Sequence, residues 1–376
     1  MLIMEQKHKG IFFELDYGKD LKIDLKDKKI IAVLGENCRS LTNYIGKIAN
    51  LKKDSVRYRI KELIKKDIYR GSMTILNPFV LGVSINSLLI KLERVTPEKE
   101  EEIINFFSNH PFVVWVGHTQ GAYDYNINIM ALDAGHFDKL LKEVRTKLQG
   151  YMKDMKVLHI SKMYCCNTLP ITFRKDNDTE IRYDNLDTSF GALLKKVPYC
   201  SIEEEKINLD VSDFLIINAI ANKADMSIQE ISEATKIKPD TVKNRMTNLV
   251  KKNVILAFRG NVNVSYLKFH GHIAYFRLYP HISAEARKKF EDYFKYQDYV
   301  YFASETRGSF FDFQTYIFAK DPLDFNRIIN KIRQEFSSII EDYESVLILK
   351  DYKFTFFPEG AVSPMKKLFL NLAKHF

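Results

Sequence analysis

The sequence predicts an α+β chain in which two winged helix-turn-helix domains alternate with two ferredoxin-like βαββαβ domains. Three observations predict it. The basic amphipathic stretch Leu51–Lys66 recurs 186 residues later as Ile237–Lys252. The helical patterns that precede each stretch recur at the same spacing. Each copy is then followed by strand and helix patterns in the order strand, helix, strand, strand, helix, strand.

With 376 residues the chain is too long for one compact core, and roughly two to four domains are expected. A composition of 46% hydrophobic and 28% charged residues excludes a disordered chain. No apolar run approaches the ~18 residues needed to span a bilayer, and Met1–Lys9 lacks the apolar core of a secretory signal. The four cysteines (Cys38, Cys165, Cys166 and Cys200) have no CxxC spacing, and the vicinal pair is poor geometry for a bridge. A reducing, cytoplasmic setting is expected. The net charge of +9 is concentrated. Residues 51–70 hold eight Lys or Arg against three acids, and residues 237–256 hold five against one. These windows carry net +5 and +4, the whole excess of the chain. Such concentration on two equivalent helices points to two polyanion-binding surfaces.

Residues 1–22 form an N-terminal extension in which Ile11–Leu15 reads as a short strand. The first winged helix-turn-helix spans 23–76. Asp27–Leu34 is a helix with its acid in the first turn, where the helix dipole favours it. A second helix covers Leu41–Ala49, and Asn50 suits the left-handed turn that follows. In the third helix Val56, Ile60, Leu63 and Ile64 recur at the spacing of one helical face. The other face carries Arg57, Tyr58, Lys61 and Lys65, with Arg59 at its margin. That face suits a nucleic-acid groove or an ordinary solvated helix; its recurrence favours the groove. Asp67–Gly71 and Ser72–Leu76 then read as the strands of a small hairpin.

Within 77–164, Ser84–Glu93, Phe112–Thr119, Tyr123–Leu132 and Met155–Met163 read as strands, and Glu98–His110 and His136–Leu148 as helices. A linker, 165–206, has the polar middle Arg174–Glu180. The second winged helix-turn-helix (207–262) contains Asp213–Ile220, Ile228–Thr235 and the helix over Ile237–Lys252, with Pro239 near its start. Gly46 and Ser232 fall at matching points of the second helices, where a third helix crosses closely. The second βαββαβ unit (263–352) runs His272–Tyr279, Ala284–Tyr296, Tyr299–Glu305, Phe310–Lys320, Pro322–Phe336 and Ile340–Asp351. In the C-terminal extension (353–376), Pro364–Phe376 reads as an amphipathic helix.

This plan resembles the Lrp/AsnC, or feast/famine, family of prokaryotic transcription regulators. Leu25, Asp27, Ile30, Ile31 and Leu34 look like the family's opening helix, repeated as Leu209, Asp213, Ile216, Ile217 and Ile220. Val56–Ile60 with Leu63, Lys65, Lys66 and Ile68 is similar to its recognition helix and first wing strand. Leu76-Asn-Pro78 with Leu81-Gly82 resembles the entry to its second domain, and Gly121-Ala-Tyr-Asp-Tyr125 its Gly-x-Tyr-Asp turn. The resemblance covers about 23–164 and 207–352. The second copy lacks the matches to Pro78 and Gly82 and reads Gly308-Ser-Phe-Phe-Asp312, with one extra residue. The usual member has one unit and dimerises; this chain holds two.

The resemblance implies a DNA-binding transcription regulator with double-stranded DNA as partner, no enzyme activity and no cofactor. It also implies a small effector, usually an amino acid, held between βαββαβ domains. The expected assembly is a pseudo-dimer within one chain, with homo-oligomerisation through those domains and no membrane partner. On the helices, Arg57 is the candidate base reader, because a guanidinium contacts guanine bidentately. Tyr58 lies beside it, and Lys243 and Asn244 hold the corresponding places. Ser55, Lys61 and Thr241 complete the reading faces. Lys52, Lys53, Lys65, Lys66, Lys238, Lys251 and Lys252 are candidate phosphate contacts. Arg59 and Arg245 either grip phosphate or pair with a helix-1 acid. Gly121, Tyr123, Asp124, Gly308 and Asp312 are the candidate effector positions.

His270 and His272 share a strand face without a third ligand, so no metal site is expected. The sirohaem decarboxylases resemble the same two-domain plan. Their His-Asn-Tyr-x-Arg run is replaced by Val116-Gly-His-Thr-Gln120 and Phe302-Ala-Ser-Glu-Thr306, leaving His118 alone. A third reading is an assembly protein that uses the helix-turn-helix units for partner contacts.

Overall fold

The computed structural model describes residues 23–170, 173, 199–308 and 310–361. The strand expected over Ile11–Leu15, the linker middle Arg174–Glu180 and the helix expected over Pro364–Phe376 lie outside them. In chain order the elements are α1 (Leu25–Glu36), α2 (Thr42–Ala49), α3 (Lys53–Lys65) and β1 (Tyr69–Leu76). Then come β2 (Ser84–Leu92), α4 (Pro97–Asn109), β3 (Val113–Gly121), β4 (Tyr125–Ala131), α5 (Ala134–Lys147) and β5 (Met152–Cys166). After the two-residue β6 (Cys200–Ser201) the plan repeats with α6 (Val211–Ile220), α7 (Ile228–Thr235), α8 (Pro239–Lys251) and β7 (Ile255–Val262). It closes with β8 (His270–Leu278), α9 (Ala284–Lys295), β9 (Val300–Arg307), β10 (Phe313–Ala319), α10 (Pro322–Glu335) and β11 (Ile340–Phe354).

Local chemistry starts and stops these helices. Asp24 caps α1 by accepting from the Asp27 amide, and Asp210 with Asp213 forms a capping box on α6. Asn50 and Lys236 end α2 and α7 in the left-handed region, at φ 52° and 63°. Gly46 is needed for a different approach than the crossing helix expected: a Cβ there would lie 2.6 Å from the Leu51 carbonyl oxygen, so the turn itself closes onto α2. Val56 and Leu63 anchor α3, and Ile60 is half-buried, but Ile64 stays 52% exposed. It lies one step beyond the buried arc. Its counterpart Val250 is buried in α8.

The hairpin expected over Asp67–Leu76 does not form. Gly71, at φ 104°, sits within β1 at a register shift between Tyr69 and Ser72 rather than at a reversal. The strand therefore needs an outside partner for its ladder. It finds β7 of the second repeat, antiparallel, with Thr74 opposite Phe258 and Ser72 opposite Gly260. One two-stranded ribbon joins the two three-helix units.

The other strands close into a ring, except the short β6, which pairs with β5. Their order is β2, β4, β3, β11, β8, β10, β9, β5, and β5 pairs back onto β2. Within each repeat the fourth strand neighbours the first, then the third, then the second. The 15-residue strands β5 and β11 serve both repeats: β5 pairs β2 through its first half and β9 through its second, and β11 pairs β8 and then β3. Outward side chains such as Leu88 and Ile127 pack with Ile103 and Leu140 of α4 and α5. Phe276 and Phe313 pack with Phe290 and Ile332 of α9 and α10. The inward side carries Trp115, Ile160, Tyr275 and Tyr316 together with a file of buried amides. Asn126 donates to the Tyr275 and Tyr316 hydroxyls, and Gln314 to Ser87. No helix among the described residues is long and apolar enough to cross a membrane.

Candidate nucleic-acid interface

Helices α3 and α8 occupy equivalent places, each third in its unit and each leading into one strand of the shared ribbon. Their buried sides hold Val56 and Leu63 in one, and Val242, Met246 and Leu249 in the other. Lys52, Lys53, Ser55, Arg57, Tyr58, Lys61, Lys65 and Lys66 are all exposed, as are Lys238, Thr241, Lys243, Asn244, Lys251 and Lys252. Tyr58 is 65% exposed. Among the described residues Arg57 reaches toward Asp54, at 3.6 Å across one turn. That contact is long and solvated, so it leaves the guanidinium available.

Arg59 and Arg245 are placed otherwise. The Arg59 guanidinium donates to Asp24 and Asp27 of α1, both at 2.7 Å. Arg245 repeats this with Asp210 at 2.7 Å and Asp213 at 2.9 Å. In each unit the third helix is thus tied to the carboxylates at the start of the first. The hydrogen bonds that Arg59 donates to Asp27 and Asp24 push it above its ordinary value. Partial burial acts to raise Asp24, but the Asp27 amide and Arg59 outweigh it and hold the carboxyl below its usual range. The depression beside α3 is lined by Asp24, Asp27, Asp54 and Glu62 as well as Ser55, Tyr58 and Lys66, so this face of the first unit is mixed in charge.

The five candidate effector positions come together at two turns that face each other across the ring. Gly121, at φ 136°, would place a Cβ 3.0 Å from the Ser345 carbonyl of the other repeat. Gly308 meets Val157 in the same way, also at 3.0 Å. Asp124 accepts from Lys91 Nζ at 2.8 Å and the Leu92 amide at 2.7 Å. Asp312 accepts from the Leu278 amide at 2.9 Å. Thr119 and Thr306 donate through Oγ1 to the Tyr123 and Phe311 carbonyls. The second turn therefore keeps the bonding of the first despite its extra residue. Tyr123 is buried, donates to Glu344 Oε2 at 2.6 Å and lies under Lys156 Nζ, 5.2 Å from the ring centroid.

Among the histidines, His118 stacks on Tyr125 with centroids 5.0 Å apart. His272 stacks on Phe325 at 3.9 Å. Burial, with the neighbouring His270 adding to it, pushes His272 down to about 4. The imidazole is neutral in the folded chain and protonates more readily unfolded, near 6.5. Its stability contribution is full above that value and is lost as pH falls toward 4. Replacing His272 by Phe is expected to flatten the loss of thermal stability between about pH 6.5 and 4, read by melting the protein across a pH series. Among the described residues no group of three or more His, Cys, Asp or Glu side chains is placed to hold a metal.

Sequence reasoning missed the contacts that join the repeats. Glu36 and Arg259 form a buried ion pair at 2.9 Å. Arg39 donates to the Ala224 and Met226 carbonyls at 2.6 and 2.8 Å. The one signal was Arg259 itself, a lone charge directly after the apolar run Ile255–Phe258.

A family described as winged helix-turn-helix DNA-binding matches residues 209–255. The HTH-type transcriptional regulator Ptr1 of Methanocaldococcus jannaschii is 32% identical over 124 residues, which cover 32% of this chain and 80% of that protein. The HTH-type transcriptional regulator LrpA of Pyrococcus abyssi is 28% identical over 131 residues, 35% of this chain and 92% of that protein. Each is matched over most of its length by about a third of this chain, as a tandem duplication of a single-unit regulator requires. Among solved structures, the siroheme decarboxylase NirDL superposes with a TM-score of 0.56 at 12% identity, covering 93% of this chain and 99% of that one; the likeness is one of fold. The chain belongs to the Lrp/AsnC family of helix-turn-helix transcription regulators, in tandem form.

Proposed function

We propose that this Lrp/AsnC-family chain is a sequence-specific DNA-binding transcription regulator whose two unlike recognition helices, α3 and α8, read two unlike half-sites. The observation that carries the reading is the equivalent placement of two exposed basic helices on units joined by one ribbon. The chain divides as two winged helix-turn-helix units, 23–76 and 207–262, alternating with two ferredoxin-like units, 77–164 and 263–352. Residues 165–206 connect the halves.

Arg57, Tyr58, Ser55 and Lys61 read base edges in one half-site, and Lys243, Asn244 and Thr241 in the other. Lys52, Lys53, Lys65, Lys66, Lys238, Lys251 and Lys252 meet phosphates. Arg59 and Arg245 act through position, since their ion pairs with α1 and α6 orient the helices. Selection of bound sequences from random duplex DNA tests this: an asymmetric site is expected, and a perfect palindrome would overturn the two-reader assignment. If about six phosphates are neutralised, log affinity falls with log salt at a slope of roughly −5. A slope near zero would remove DNA as the ligand and favour the assembly reading.

The family implies a small effector. At the Gly121 turn such a ligand would have to displace Lys91 from Asp124 or Lys156 from the Tyr123 ring. Isothermal titration with a panel of amino acids tests it; absence of heat from all of them leaves the turns purely structural. The full-length fold likeness to siroheme decarboxylase NirDL favours a second reading as a sirohaem-handling protein. Its test is an absorbance band formed on adding sirohaem to the purified chain, and none is expected because His118 stands without the Asn, Tyr and Arg of that motif.

A further inference from the structure

The two repeats meet across a pseudo-two-fold axis, so each contact has a counterpart 186 to 188 residues away. In a symmetric dimer of identical units, such counterparts would be the same residues. Here they are not. Lys156 of β5 and Glu344 of β11 hold corresponding places, and they face each other, Nζ to Oε1, at 3.3 Å. Glu36 at the end of α1 pairs with Arg259 of β7 at 2.9 Å; the corresponding places hold Asn222 and Met73. Ser72 of β1 hydrogen-bonds Asp225, whereas their counterparts set the Arg39 guanidinium over the Phe258 ring at 5.3 Å. Thr74 donates through Oγ1 to the Ile220 carbonyl at 2.7 Å. Its counterpart, Gly260, approaches the Leu34 carbonyl so closely that a Cβ would lie 2.6 Å from the oxygen.

We infer that the seam between the repeats is a heterospecific interface: it accepts the other repeat of the same chain and rejects a second copy of either repeat. A first repeat paired with another first repeat would set Lys156 against Lys156, Glu36 against Met73 and Arg39 against Ser72. A second repeat paired with another second repeat would set Glu344 against Glu344, Arg259 against Asn222 and Asp225 against Phe258. Like charges repel across the axis, and the buried Glu36–Arg259 ion pair cannot form. Discrimination of this kind comes from the mismatches in the wrong pairing as much as from the matches in the right one. The inference does not depend on DNA binding. Its consequence for any ligand of α3 and α8 is that one chain always presents one of each.

The test starts from the full chain with a protease site inserted between Arg174 and Glu180. The protein is cut in urea, the pieces are refolded together, and native mass spectrometry counts the pairs that form. First-with-second pairs are expected to exceed like pairs by roughly ten to one. A statistical mixture, in which like pairs make up about half of all complexes, would overturn the inference. The uncut chain supplies a second measurement that does not rely on reassembly. Lys156→Glu and Glu344→Lys are each expected to lower Tm by a few degrees, and the double variant, with the charges exchanged, to recover the loss. A double variant as unstable as the two singles added together would also overturn it.

Discussion

Replacing Arg259 by Met is expected to destabilise the protein by roughly 3–5 kcal/mol, the cost of breaking one side of a buried ion pair. Arg259 is 2% exposed in the interior of β7, and its guanidinium bonds both the carboxylate and the backbone carbonyl of Glu36 at the end of α1. Methionine fills much of the same volume, so packing loss is small and the effect isolates the charge. Glu36 remains buried and loses the guanidinium that faces its carboxylate. Urea titration of the full chain measures the loss. The paired replacement Glu36→Met with Arg259→Met is expected to recover most of it, because the desolvation of both ions disappears together. If Arg259→Met alone is neutral, the pair does not join the repeats.

Replacing Arg57 by Ala is expected to weaken binding to the selected DNA by about 1–3 kcal/mol, or roughly tenfold to a hundredfold, the discrimination of one bidentate base contact. The loss should relax sequence preference in one half-site only. Lys243→Ala with Asn244→Ala is expected to relax the other half and leave the first intact. Arg57 is exposed and, among the described residues, its ion pair is the 3.6 Å contact to Asp54, so the substitution is expected to leave the fold unchanged. Lys65→Ala behaves differently: it weakens binding to all sequences alike and makes the salt slope shallower by about one. Binding measured on half-site-swapped duplexes separates the two classes. Equal losses at both half-sites from Arg57→Ala would mean that the side chain serves phosphate rather than a base.

Much of the architecture was legible because its signals are local. Helical and strand periods depend on residues only a few places apart, and the duplication showed each pattern twice. The predicted helix over Ile228–Thr235 matches α7 residue for residue, and β7 repeats β1 at the full 186 spacing. The two exposed basic faces were legible for the same reason. Arg59 was ambiguous because two roles suit a guanidinium equally, and only the approach of α1 brings Asp24 and Asp27 within 2.7 Å. Ile64 misled because its apolar side chain lies one step outside the buried arc.

By itself the sequence determined the order of elements, the duplication and the family. It also marked out the two basic faces, since each follows from residue types at short, regular spacing. The tertiary structure decided which strand edges meet. β1 takes β7 as partner instead of folding into a hairpin, and β5 and β11 each serve both repeats. Backbone donors and acceptors are the same in every strand, so nothing in a local pattern says which edge will satisfy them. That choice belongs to the packing of the whole chain, and the same packing brings Glu36 to Arg259 and Lys156 to Glu344.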